Sequence, residues 1–115
     1  MGTPSGWYSS TSMTNNRLDV LRGMVAANPD DSFARYGLAM ECVKSGNLQE
    51  AVDEFKKLLE ANPKYPAAYF HGGQAFEKLG KIEDARALYQ KGIDVTTAMG
   101  DFHTRSELQA ALDIL

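Results

Sequence analysis

The sequence has a single cysteine, Cys42, so it cannot form an internal disulfide. Its fold must stand on burial alone, and a lone thiol fits a reducing compartment, which makes a cytoplasmic location the expectation. No apolar run approaches the roughly 20 residues of a membrane span. The first residues also lack the basic-then-apolar order of a secretion signal. No membrane partner is expected. A basic block is missing too: 12 Lys and Arg stand against 15 Asp and Glu, the net charge is -3, and the lysines are spread along the chain. That excludes the electrostatic footprint that nucleic-acid binding requires. The two histidines, His71 and His103, are not spaced as helical metal ligands, and no His, Cys or carboxylate cluster has zinc-like spacing. No metal and no cofactor is expected. Gly72-Gly73 is not a phosphate loop, because it lies inside a helical pattern and not between a strand and a helix.

What is present is the composition of one ordinary globular domain: 115 residues, 43% hydrophobic and 23% charged. Residues 1–12, MGTPSGWYSSTS, are mostly Gly, Ser, Thr and Pro and are expected to form a mobile tail. Met13, just before a polar helix start, is the expected natural first residue.

The informative signal comes from sliding the sequence over itself by 34 residues, which superposes residues 28–61 on 62–95. Identities fall at Asn28/Asn62, Pro29/Pro63, Ala34/Ala68, Lys44/Lys78, Gly46/Gly80, Ala51/Ala85 and Lys57/Lys91. Like replaces like at Tyr36/Phe70, Leu48/Ile82, Phe55/Tyr89 and Leu59/Ile93.

Local signals build each unit. Ser32 is placed to cap a helix with Phe33, Tyr36, Leu38, Ala39, Met40, Cys42 and Val43 on a broad apolar face, ending near Gly46. A second helix starts near Leu48; Ala51, Val52, Phe55, Leu58 and Leu59 share one face until Asn62-Pro63 stops it. Pro66 opens the next helix at a harmless first-turn position, Gly80 ends it, and another runs from about Ile82 into 95–98. A helix at 15–27 precedes these pairs. Thr104 and Glu107 have the spacing of a capping box before a last helix at about 102–114. The expectation is one all-α domain over 13–115, an αα-superhelix of about five antiparallel helices, with units at about 30–63 and 64–97.

In these features the sequence resembles the tetratricopeptide repeat family. The resemblance covers residues 15–115 and rests on the small residues Ala39 and Gly73, the alanines Ala51 and Ala85, the aromatics Phe55 and Tyr89, Gly46 and Gly80, and Pro29 and Pro63. The chain departs from the family pattern at Arg35, where the second repeat has the aromatic Tyr69, and at Thr96-Thr97, where the third Asn-Pro is missing. The second departure predicts a longer last helix in that repeat.

The resemblance implies a non-catalytic module that binds a peptide or a partner helix in a concave groove lined by the first helix of each repeat. It puts Phe33, Tyr36, Met40 and Lys44, then Phe70, His71, Gln74 and Lys78, on or near that surface, completed by Arg105 and Leu108. Tyr36 and Phe70 would then pair across the groove. The alternative for each is a half-buried core role. One subgroup of the family clamps a C-terminal carboxylate; the matching positions here hold Tyr36, Met40, His71, Asp101 and Arg105, which argues against that ligand. Cys42, on the apolar stripe, reads as a packed thiol and not a nucleophile. The alternatives are homodimerisation through an end face, where Ile114 lies off the apolar stripe, and, far behind it, an uncharacterised enzyme.

Overall fold

The computed structural model describes the backbone of residues 5–115 and the side chains of residues 16–115. Among the described residues it contains six helices and no strand: α1 Ser5–Ala27, α2 Ser32–Lys44, α3 Leu48–Ala61, α4 Pro66–Lys78, α5 Ile82–Met99 and α6 Phe102–Asp113. Each helix packs on its neighbours in sequence, and α2, α4 and α6 also meet along one side. The result is an all-α superhelix. Its radius of gyration is 16.3 Å, against about 13 Å for a compact domain of this length.

Of the expected tail 1–12, residues 1–4 lie outside the described residues. The backbone of 5–12 belongs to α1, which starts earlier than the expected position near 15. No proline or glycine interrupts the chain between Trp7 and Arg22, so nothing breaks the backbone ladder there. No helix among the described residues is long and apolar enough to cross a membrane.

The helix starts correct two sequence expectations. Asp31, not Ser32, caps α2: its Oδ1 accepts the Ala34 N–H at 3.0 Å. Asp101, not Thr104, caps α6, accepting the Thr104 N–H at 3.1 Å. In both places a carboxylate stands one turn ahead of the hydroxyl-bearing residue or next to it, and a full negative charge suits the positive end of a helix better. Gly46 and Gly80 follow their helices at φ 82° and 77°, a conformation only glycine takes without strain. Helix α5 runs through Thr96-Thr97, as the missing proline predicts, and stops at Gly100. Thr96 is fully buried there and returns its hydroxyl to the Gly92 carbonyl at 2.8 Å.

The two departures and the two glycines show how the repeats close. In the second repeat the Tyr69 hydroxyl donates to the Pro63 carbonyl at 2.7 Å. At the equivalent place in the first repeat, Arg35 Nη2 donates to the Pro29 carbonyl at 3.1 Å. Arg35 thus does the work of the missing aromatic hydroxyl, and its charge is matched by Glu54 of α3 at 2.6 Å, both side chains being 12% exposed. Gly73 is required because the Tyr89 ring fills the space a Cβ would take. Gly72 has a similar reason: a Cβ there would lie 2.9 Å from Leu88 Cδ2 and 3.3 Å from Phe55 Cβ. The fully buried Phe55, Tyr69 and Tyr89 fill the gaps that these small residues open between successive helix pairs.

Candidate functional site

Helices α2, α4 and α6 are the first members of their pairs, and their shared side forms the candidate groove. Its floor is a row of aromatic rings. Tyr65, just before α4, lies 5.3 Å from Tyr36 of α2; Tyr36 meets His71 edge-on at 6.1 Å; His71 meets Phe70 edge-on at 5.2 Å; and Phe70 lies 6.5 Å from Tyr89. The expected direct pairing of Tyr36 with Phe70 is therefore replaced by a bridge through His71. The repeat sets Tyr36 and Phe70 one helix apart, and the side chain one residue on spans the distance. Edge-to-face contacts of this kind add about 0.5–1.5 kcal/mol beyond area burial.

The ten residues assigned from sequence separate into four sets. Tyr36, Phe70 and His71 come together in the ring row and are half-buried. Phe33, Met40 and Lys44 lie on the outer strip of α2, with Phe33 77% exposed beside an open depression of about 410 Å³ that Met40 and Lys44 also line. Gln74, Lys78 and Arg105 are exposed around the row. Leu108 does not belong to the groove surface: it is fully buried and packs over Gly92, where a Cβ would come within 2.9 Å of its Cδ1. The absence of a side chain on α5 opens a hole, and Leu108 is drawn into it. Tyr65 was missed. It stands where the first repeat has Asp31, and such a non-repeating position was the signal that could have found it.

Burial sets the electrostatics of the row. It depresses the His71 pKa below its usual 6.5, only partly opposed by a hydrogen bond with Gln74 and by the Glu107 carboxylate of α6. Burial also raises the Tyr36 and Tyr65 hydroxyls. The row is thus uncharged at neutral pH. A lowered histidine pKa means that the unfolded chain binds the proton more readily, so the contribution of neutral His71 is complete above 6.5 and is lost as pH falls from there through the folded pKa. Glu50 and Asp101, held low by hydrogen bonds with Arg22 and Thr104 respectively, weaken only below their ordinary values of 4.5 and 3.8. Thermal melting should therefore drop between pH 7.5 and 5, and His71→Gln should flatten that drop; an equally steep drop in the variant would show that His71 is not the group titrating.

Asp101 is spent on capping α6, its Oδ1 accepting the Thr104 N–H at 3.1 Å. Cys42 is fully buried, its thiol pushed up to about 12 chiefly by desolvation. That leaves no accessible thiolate there.

Comparison with known proteins agrees with the repeat fold. The tetratricopeptide repeat profile matches residues 18–65 and again 36–97. The chain belongs to the tetratricopeptide repeat family. A tetratricopeptide-repeat-containing protein of Pseudomonas aeruginosa is 25% identical over 95 residues, 83% of this chain and 90% of that one. A tetratricopeptide repeat domain protein of Salinibacter ruber, solved by NMR, is 39% identical and covers 74% of this chain and 86% of its own, with a TM-score of 0.69. The TPR2B domain of yeast Sti1, solved as a complex with pHsp70, shares the fold at a TM-score of 0.79 over 93% of this chain and 86% of its own, with 17% identity. Within the tetratricopeptide repeat frame, Ala39, Gly46, Ala51, Phe55, Gly73, Ala85 and Tyr89 are scaffold.

Proposed function

We propose that this tetratricopeptide repeat protein is an interaction module whose groove holds a peptide or helix of another protein. The observation that carries the reading is the uncharged row Tyr65–Tyr36–His71–Phe70, half-buried at the surface and long enough to receive an apolar anchor. Large, stiff aromatic side chains give contact area at low entropic cost, which suits such an anchor. Gln74, Lys78 and Arg105 would orient the partner around it, and Phe33, Met40 and Lys44 extend the same surface toward α1. The pHsp70 complex of the yeast domain with the same fold supports a protein ligand. Tyr36, Met40, His71 and Asp101, at the positions that accompany Arg105 in the carboxylate-clamp comparison, supply no lysine or asparagine, which argues against a terminal carboxylate as the recognised group.

A pull-down from native extract that compares the wild-type chain with a Tyr36→Ala/Phe70→Ala variant tests the reading. Loss of a specific band, with the helical circular dichroism spectrum retained, is the expected result. Identical bands from both proteins would move the interaction away from the ring row.

A further inference from the structure

We infer that the gap between α3 and α5, the second helices of their pairs, is a docking notch for a peptide segment that carries one large apolar side chain followed closely by a carboxylate. Among the described residues the backbones of α3 and α5 stay apart; each packs on α4, and the fully buried Tyr69 of α4 floors the gap between them. Leu59 of α3 and Leu88 of α5 stand half-buried on its two walls, with the exposed Lys56 and Glu60 on one rim and Lys91 on the other. The depression holds about 200 Å³, several times the roughly 30 Å³ that a water occupies in the liquid. It has room for a side chain.

The preceding junction of the same chain has this place filled. There the positions of Lys56, Tyr69 and Leu88 are held by Arg22, Arg35 and Glu54. Arg35 and Glu54 close on each other at 2.6 Å across the junction, and Arg22 is taken up by Glu50 at 2.7 Å. In the notch Leu88 stands in place of the acid, and the Tyr69 hydroxyl turns away to the Pro63 carbonyl at 2.7 Å. The floor is therefore apolar and offers the lysines no acid. Among the described residues neither Lys56 nor Lys91 is ion-paired, and residues 1–15 contain no Asp or Glu. Helices α3 and α5 run parallel as repeat equivalents, so Lys91, the counterpart of Lys57, stands level with it and across the gap from Lys56. Two ammonium groups thus flank one level of the notch and call for a carboxylate between them. Glu60, one turn further along α3, repels a second one, so the occupant carries its acid on the lysine side alone. The notch goes beyond the groove reading and shares no residue with the ring row.

An NMR titration of the isotope-labelled full chain tests the notch. The probe is an acetylated and amidated hexapeptide of glycine and serine that carries one leucine followed by one glutamate. Amide shifts should cluster at residues 56–60, 69 and 88–91 and saturate at millimolar peptide or below, and a peptide with lysine in place of the glutamate should not produce them. Lys56→Glu/Lys91→Glu should weaken the glutamate peptide roughly tenfold and admit the lysine peptide in its place, because both charge contacts change sign. Both lysines are exposed, and circular dichroism melts check that the variant is folded. No saturable binding, shifts centred away from the notch, equal binding of the two peptides, or indifference to the lysine reversal would each overturn the proposal. The Tyr36→Ala/Phe70→Ala variant should bind the peptide as the wild type does, so failure of the notch and failure of the groove reading are read separately.

Discussion

Phe55→Ala should lower the free energy of unfolding by about 3 to 5 kcal/mol. The side chain is fully buried. Its ring stands edge-on to Tyr36 at 6.3 Å, and its base fills the notch over Gly72. One truncation thus opens a hole between the two repeats and loosens the ring that begins the groove. Glycine at 72 cannot move in to fill the hole, because it has no side chain with which to do so, and so the upper part of the range is expected. For a domain of this size such a loss moves the melting temperature by roughly 12 °C or more, a large share of a typical 5–15 kcal/mol stability. A melt within a degree or two of wild type would mean that the packing of α3 against α4 has been misassigned.

Gly73→Ala should also be strongly destabilising, although the same change in an open helix is favourable. Alanine gains about 1 kcal/mol over glycine in a helix interior. At Gly23 of α1 a Cβ would meet nothing within 4 Å, so there the gain should appear as added stability. At Gly73 the Cβ would fall within the Tyr89 ring, and Tyr89 is fully buried with its hydroxyl bonded to Glu77. The ring has no room to yield. Overpacking of this kind costs about 1–3 kcal/mol and occasionally more, which outweighs the propensity gain. Tyr89→Leu should recover part of the loss in a double variant, because it removes the obstructing ring, whereas Tyr89→Phe should not. Denaturant midpoints of the four proteins decide the point; equal stabilisation by alanine at positions 23 and 73 would contradict the packing described.

The legible part of this molecule is the part that repeats. The 34-residue spacing located the helix pairs, the two glycine stops and the buried aromatics, since each serves a packing need that recurs in every unit. Helix starts were less legible: Asp31 and Ser32 are both competent caps, and only backbone geometry chooses between them. The groove was legible as a surface but not as a set of contacts. Nothing in the spacing says that His71 would stand between Tyr36 and Phe70, because side-chain reach across neighbouring helices has no periodic trace. Leu108 shows the same limit from the other side. Its pattern position marks an inward-facing leucine, but whether it faces ligand or core depends on Gly92, which lies on a different helix and lacks a side chain.

The same Leu108 has a consequence for recognition. It is the one fully buried side chain of α6, whereas every other helix from α2 to α5 is pinned by several. Ala111 and Leu112 pack against the core only in part, so the α6 contact rests chiefly on Leu108, and local opening of a helix costs less the fewer side chains it buries. The segment that carries Arg105 and Glu107 therefore depends on one leucine for its position, and Leu108→Ala should release it while the α2–α5 part stays folded. If the proposed partner docks on that side, its affinity would be set by two equilibria in series, docking and the seating of α6, and the second would be adjustable by changes at Gly92 or Leu108, which lie out of a ligand's reach.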